Sequence, residues 1–156
     1  MTLNVADRLD LADLVHRCAA GVDERDTAGV AGLFVEDGVL ASPWPPRHLD
    51  PVAEAVGQAA IETALGQLSG MAVTQHAVVG FVVDADGPEA ALGRVACIAH
   101  HVLPGGSDLV WHLTYRDRYR RTPVGWRFAR RDLHVDVVEE HPVTAARNLD
   151  RGPDRP

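Results

Sequence analysis

Asp23, His76, His101, Tyr115 and Asp117 are the residues of this 156-residue chain whose types and settings could move a proton. Side chains alternate between the two faces of a strand. Along 109–121 that places Leu109, Trp111, Leu113, Tyr115, Asp117 and Tyr119 together, opposite Val110, His112, Thr114, Arg116, Arg118 and Arg120. The first face is apolar and aromatic, so Asp117 is an inward carboxylate. Such a charge is costly to bury unless it is hydrogen-bonded, paired or protonated, so it either braces the structure or does chemistry. His76 sits in Val73-Thr74-Gln75-His76-Ala77-Val78-Val79, whose apolar residues on both faces predict a central, covered strand. There it reads either as a core histidine bonded to a carbonyl or as a base. His100 and His101 are adjacent on a strand and point to opposite faces, so only one of them can line a given cavity. Asp23 lies beside Val22 at the end of a helical apolar stripe, where a helix C-terminus raises the basicity of a carboxylate. The other reading of Asp23 is a surface turn residue.

Composition removes several other chemistries. All 15 basic residues are arginine, so Schiff-base catalysis and a P-loop lysine are excluded. A net charge of −7 argues against a nucleic-acid groove, which needs a basic field. Cys18 and Cys97 are far apart and form neither a disulfide framework nor a CxxC motif, so a cytoplasmic setting is expected. No apolar run approaches the roughly 20 residues that span a bilayer, so no membrane partner is expected. HExxH and GxSxG are both absent, which leaves no local metal or nucleophile signature. No metal and no cofactor are expected. His16, His48, His112, His134 and His141 read as surface, loop or tail residues.

These residues need elements to position them. Apolar spacing predicts a helix over 7–22 and a short one over 27–34, capped by Asp26, with Glu36-Asp37-Gly38 as the following turn. A short strand over 39–42 ends at Pro43-Trp44-Pro45-Pro46. The stretch 51–68 reads as helical, most securely from Gln58 to Ser69. Extended runs over 73–84, 89–103, 109–121 and 126–138 follow, joined by short Gly- and Pro-containing turns, which predicts an antiparallel meander. Helices first and strands afterwards is the α+β class. One domain is expected over residues 1–138, and 139–156 reads as a mobile tail.

The helix ending in Asp23-Glu24-Arg25-Asp26, Leu33-Phe34, Glu36-Asp37-Gly38 and Gly57-x-x-Ala60-Ile61 occur in an order that resembles the SnoaL-like branch of the nuclear transport factor 2-like superfamily. Thr74-Gln75-His76, the run Tyr115 to Arg121 and the run Gly125 to Arg131 extend the likeness, which is strongest to the scytalone dehydratase-like branch. The resemblance implies a cone-shaped α+β barrel, with helices on a strongly curved mixed sheet around a pocket. It places the helix-borne aspartate at Asp23, the pocket histidines at His76 and His101, and a pocket-lining side chain at Tyr115. The two tyrosines of the dehydratase pattern fall near Val22 and Ser42, which departs from it.

The implied activity is cofactor-independent acid–base catalysis on a small hydrophobic or polyketide-like carbonyl compound. Asp23 would fix the tautomer of His76, His76 would remove a proton next to the carbonyl, and Tyr115 or His101 would donate to the developing oxyanion. Asp117 would be a second acid or would anchor an arginine. Trp44, Trp111 and Phe81 are expected to line the substrate pocket. Dehydration, isomerisation and cyclisation all begin from the same enolate. Two other readings stand beside these: a non-catalytic binding protein or assembly subunit, and an epoxide hydrolase using two aspartates and an arginine. The resemblance also implies a homodimer.

Overall fold

The computed structural model describes residues 2–147. Helix α1 (Val5–Asp23) starts at Asn4, whose side chain accepts from the Asp7 backbone at 2.8 Å in a capping box. Its buried residues Leu11, Leu14, Val15 and Cys18 recur at helical spacing and form the stripe that packs on the sheet. Asp7 also accepts from Arg121 and from the Trp126 indole, which ties the start of α1 to the far end of the strands. Helix α2 (Thr27–Ala31) is capped by Asp26. It packs so closely on α1 that a Cβ on Gly21 would fall 2.7 Å from Val30.

Strands β1 (Phe34–Trp44) and β2 (His48–Val56) form a hairpin, and α3 (Gln58–Gly66) with a 3-10 turn (Gln67–Gly70) follows it. The remaining strands are β3 (Val73–Ala85), β4 (Ala90–Val102), β5 (Ser107–Thr122) and β6 (Gly125–Pro142). They make one mixed six-stranded sheet in the order β2-β1-β6-β5-β4-β3, with only β1 and β6 parallel. The helices cover one face. Between them lies a core that includes Phe34, Tyr119 and Phe128, whose rings sit 5.0 and 5.4 Å apart in sequence of contact.

The α+β class and the meander are as expected, with several corrections. The sheet is open, with β2 and β3 as free edges, rather than a strongly curved barrel. Strand β3 is therefore an edge, not a central strand; Val79 and Val82 on its outer side are 60% and 52% exposed. Residues 51–56 are strand rather than helix. Ala53 and Ala55 alternate with the more exposed Val52, Glu54 and Val56, and pairing with β1 decides between two periods that six residues cannot separate. Gly57, at φ 85°, then breaks the chain into α3. Glu36-Asp37-Gly38 lies inside β1 at an irregularity of its register with β6, so the turn signal marks a kink and not a loop. Helix α2 stops at Ala31. Glu139 to Pro142 pair with Ser107 to Val110 and belong to the sheet, not to a tail. The rest of the expected tail beyond 147 lies outside the described residues. Among the described residues no helix is long and apolar enough to cross a membrane.

Candidate active site

A cavity of about 410 Å³ opens between the helices and the inner face of the sheet. Thr74 and His76 point inward from β3, and Asp23 reaches them from the last turn of α1. His76 Nδ1 lies 2.7 Å from Asp23 Oδ1, and the His76 backbone N–H donates to Oδ2 at 2.8 Å. The Thr74 hydroxyl donates to Oδ1 at 3.1 Å. Burial raises the Asp23 carboxyl, but these hydrogen bonds outweigh it and hold the group below the usual carboxylate value. An ionised Asp23 accepts a hydrogen bond from Nδ1–H, so the other ring nitrogen, Nε2, is the one free to act in the cavity that His76 lines.

His101 lines the same cavity from β4, while its neighbour His100 faces away and pairs with Asp108 at 2.6 Å. The ring of His101 meets that of His76 edge-on, at 5.8 Å between centroids, and packs on Trp111 at 4.4 Å. Its Nδ1 donates to the Leu109 carbonyl at 3.1 Å, and burial pushes its pKa down. A neutral His101 in this tautomer accepts at Nε2, so at neutral pH it cannot be the donor to an oxyanion. Tyr115 can. Its ring lines the cavity, and burial pushes its phenol well above the ordinary value, so it stays a neutral donor.

Asp117 is inward and fully buried, but it does not line the cavity. Arg131 grips it with Nε to Oδ1 at 2.8 Å and Nη2 to Oδ2 at 2.7 Å, and Tyr119 donates to Oδ2 at 2.7 Å. Asp117 thus anchors an arginine and has no contact through which to act as a second acid. The two-aspartate set required for epoxide opening is not assembled. Burial opposes the Arg131 cation, yet the charge and hydrogen bond of Asp117 together with Cys18 and Tyr115 outweigh it, and its pKa stands well above the ordinary value. Held this way, Arg131 stacks at 4.1 Å on Tyr115 and forms part of the cavity wall. Trp44 and Trp111 also line the cavity, Trp44 from an exposed position at its mouth. Phe81 does not line it: the bulge between Val78 and Gly80 turns Phe81 onto the inner face with Val83, where it packs against the core away from the cavity. Both cysteines are free and buried, and burial raises both thiols, Cys97 to about 11. That setting makes neither a nucleophile. Among the described residues no cluster of metal-ligating side chains is present.

Residues 4–132 match the SnoaL-like domain family. The chain belongs to the SnoaL-like family. Solved structures agree on the fold. A candidate aromatic ring hydroxylase from Novosphingobium aromaticivorans superposes with a TM-score of 0.78 at 24% identity, over 89% of this chain and 96% of the other. A candidate scytalone dehydratase from the same organism gives 0.75 at 22% identity, over 96% and 97%. An NTF2-like protein with a cystatin-like fold, again from that organism, gives 0.66 at 26% identity, over 92% and 86%. No curated protein matches the chain.

Sequence reasoning missed two parts of this SnoaL-like site. Arg131 was hidden by phase. Counting alternately from Trp126 and Phe128 points Arg130 and Asp132 inward. The register skips one residue at Ala129, so Arg131, Leu133 and Val135 face in instead. An inward Asp117 that needed a cation was the available signal. The second part is strand β2, which supplies Ala53, Glu54 and Ala55 to the cavity wall.

Proposed function

We propose that this SnoaL-like protein is a cofactor-independent acid–base enzyme that removes a proton next to the carbonyl of a small hydrophobic, polyketide-like compound. One observation carries the reading: His76 is held by Asp23 at 2.7 Å and at the same time lines a cavity that is mostly apolar. An imidazole so held is a tautomer-fixed base with one nitrogen free for the substrate. The enolate that forms would be met by Tyr115 as a neutral donor and by the field of Arg131 behind it. His101, neutral and accepting, would orient a substrate hydroxyl. Loss of water, double-bond migration and ring closure all proceed from that enolate, and the candidate scytalone dehydratase among the structural neighbours favours the first.

The test is proton exchange itself. Incubated in D₂O with a panel of aromatic and cyclic ketones, the parent should exchange α-protons of at least one compound, followed by ¹H NMR, and His76→Ala should not. A compound that raises the melting temperature without exchange or turnover would make the protein a binder. A homodimer is a further part of this proposal. Exposed Val79, Val82 and Leu92 on the outer face of β3 and β4 lie beside the charged row Arg116, Arg118 and Arg120, and light scattering after size exclusion would check it.

A further inference from the structure

We propose that Arg25 is a positioning residue for the Asp23–His76 pair, fixing the carboxylate through the hydroxyl of Thr74; this rests on the acid–base reading of that pair. Helix α1 ends in a Schellman turn, in which the Asp26 N–H bonds to the Gly21 carbonyl at 2.9 Å and the Arg25 N–H to that of Val22 at 3.2 Å. That turn requires a left-handed residue, and Arg25 takes it at φ 64°, the one non-glycine residue with positive φ among the described residues. Glycine occupies such a position without steric cost, and arginine does not. A strained residue that persists points to work done by its side chain.

The side chain reaches back across the end of α1 to β3. Arg25 Nη1 donates to Thr74 Oγ1 at 2.5 Å and to the Val22 carbonyl at 3.0 Å, and Nη2 donates to the Met71 carbonyl at 3.4 Å. A hydroxyl has one proton to give. Because Thr74 Oγ1 accepts from the guanidinium, its own proton turns to Asp23 Oδ1, 3.1 Å away. Asp23 then receives three donors, the Thr74 hydroxyl and both N–H groups of His76, and its carboxylate cannot rotate away from the ring. Thr74 is 5% exposed, so water cannot readily replace the guanidinium in setting its direction. The remaining polar groups around His76 do not duplicate this role. His101 meets the ring edge-on from β4, and Tyr115 and Arg131 lie elsewhere on the cavity wall.

The test reads the His76–Asp23 hydrogen bond directly, in the full chain and without a substrate. The shared Nδ1 proton of His76 should give a downfield ¹H resonance protected from water. In Arg25→Gly its exchange should accelerate about ten-fold or more, the equivalent of losing one hydrogen bond's worth of restraint. The melting temperature should change by only a few degrees, because glycine relieves the left-handed strain. Arg25→Lys keeps the charge but not the fork, and should fall between parent and glycine variant. Thr74→Val removes the relay while leaving Arg25 and should accelerate exchange in the same way; if Arg25→Gly does not fold, Arg25→Asn, which also tolerates the left-handed turn, decides the matter. Exchange within about two-fold of the parent in these variants would overturn the inference, since a hydrogen bond lost at this position should exceed that. Ketone exchange is scored separately: its absence in the parent would sink the acid–base reading and leave the NMR outcome standing.

Discussion

Asp117 and Asp23 both point inward in this molecule, and they do opposite things. Asp117 is met by a two-pronged guanidinium and a phenol, all of them buried, so its charge is neutralised where it stands. Asp23 is met by a threonine hydroxyl, a backbone N–H and an imidazole whose other nitrogen is left for the cavity. A fixed cation closes a carboxylate off. A titratable ring extends it into the space where a substrate sits. The chemistry of a buried carboxylate is therefore decided by whether its partner can itself change protonation state.

The largest expected effect tests the closed side. Asp117→Ala leaves Arg131 buried and unpaired, which should cost about 3–5 kcal/mol. Asp23→Ala removes hydrogen bonds at a more open site and should cost about 1–2 kcal/mol. Urea denaturation of both variants measures the difference, and equal losses would erase the contrast between the two sites. Next comes the open side. If an exchanging ketone is found, His76→Ala should lower α-proton exchange by about 10²–10⁴-fold, the usual contribution of a positioned general base. Asp23→Asn should follow it in direction with a smaller loss, because the imidazole stays while its tautomer is no longer held.

The open site was more legible in the sequence than the closed one, for a physical reason. Asp23 and His76 belong to local patterns, a helix end and a Thr-Gln-His strand, whose residues keep their phase. Their meeting could be inferred only by resemblance, since 53 positions separate them. Asp117 announced an inward charge by alternation, but its partner lies beyond a bulge that no count of alternate residues anticipates. Strand β2 escaped because Val52 and Val56 fit a helical spacing as well as an extended one. Local periodicity was readable up to each point where pairing with a distant strand reset it.

The smallest effect separates the two sites by pH. Around Asp117, Arg131 and Tyr119 both have pKa values pushed far above their ordinary ones, so the guanidinium stays charged and the phenol neutral throughout the neutral range. Beside Asp23, His101 has a pKa lowered by burial, so the folded chain resists a proton that the unfolded chain accepts near 6.5. The unfolded state then binds more protons, and stability rises with pH across that interval. The contribution of His101 is complete above about pH 6.5 and is lost as pH falls from there through its lowered folded value. Asp23, held below the usual carboxylate range, loses its own contribution as pH falls below that of an ordinary carboxylate. His101→Gln keeps a donor for the Leu109 carbonyl and removes the titration. Urea midpoints between pH 7 and pH 5 should fall less steeply in this variant than in the parent. An unchanged slope would mean that water reaches the ring and that the cavity wall at His101 is wetter than its burial implies.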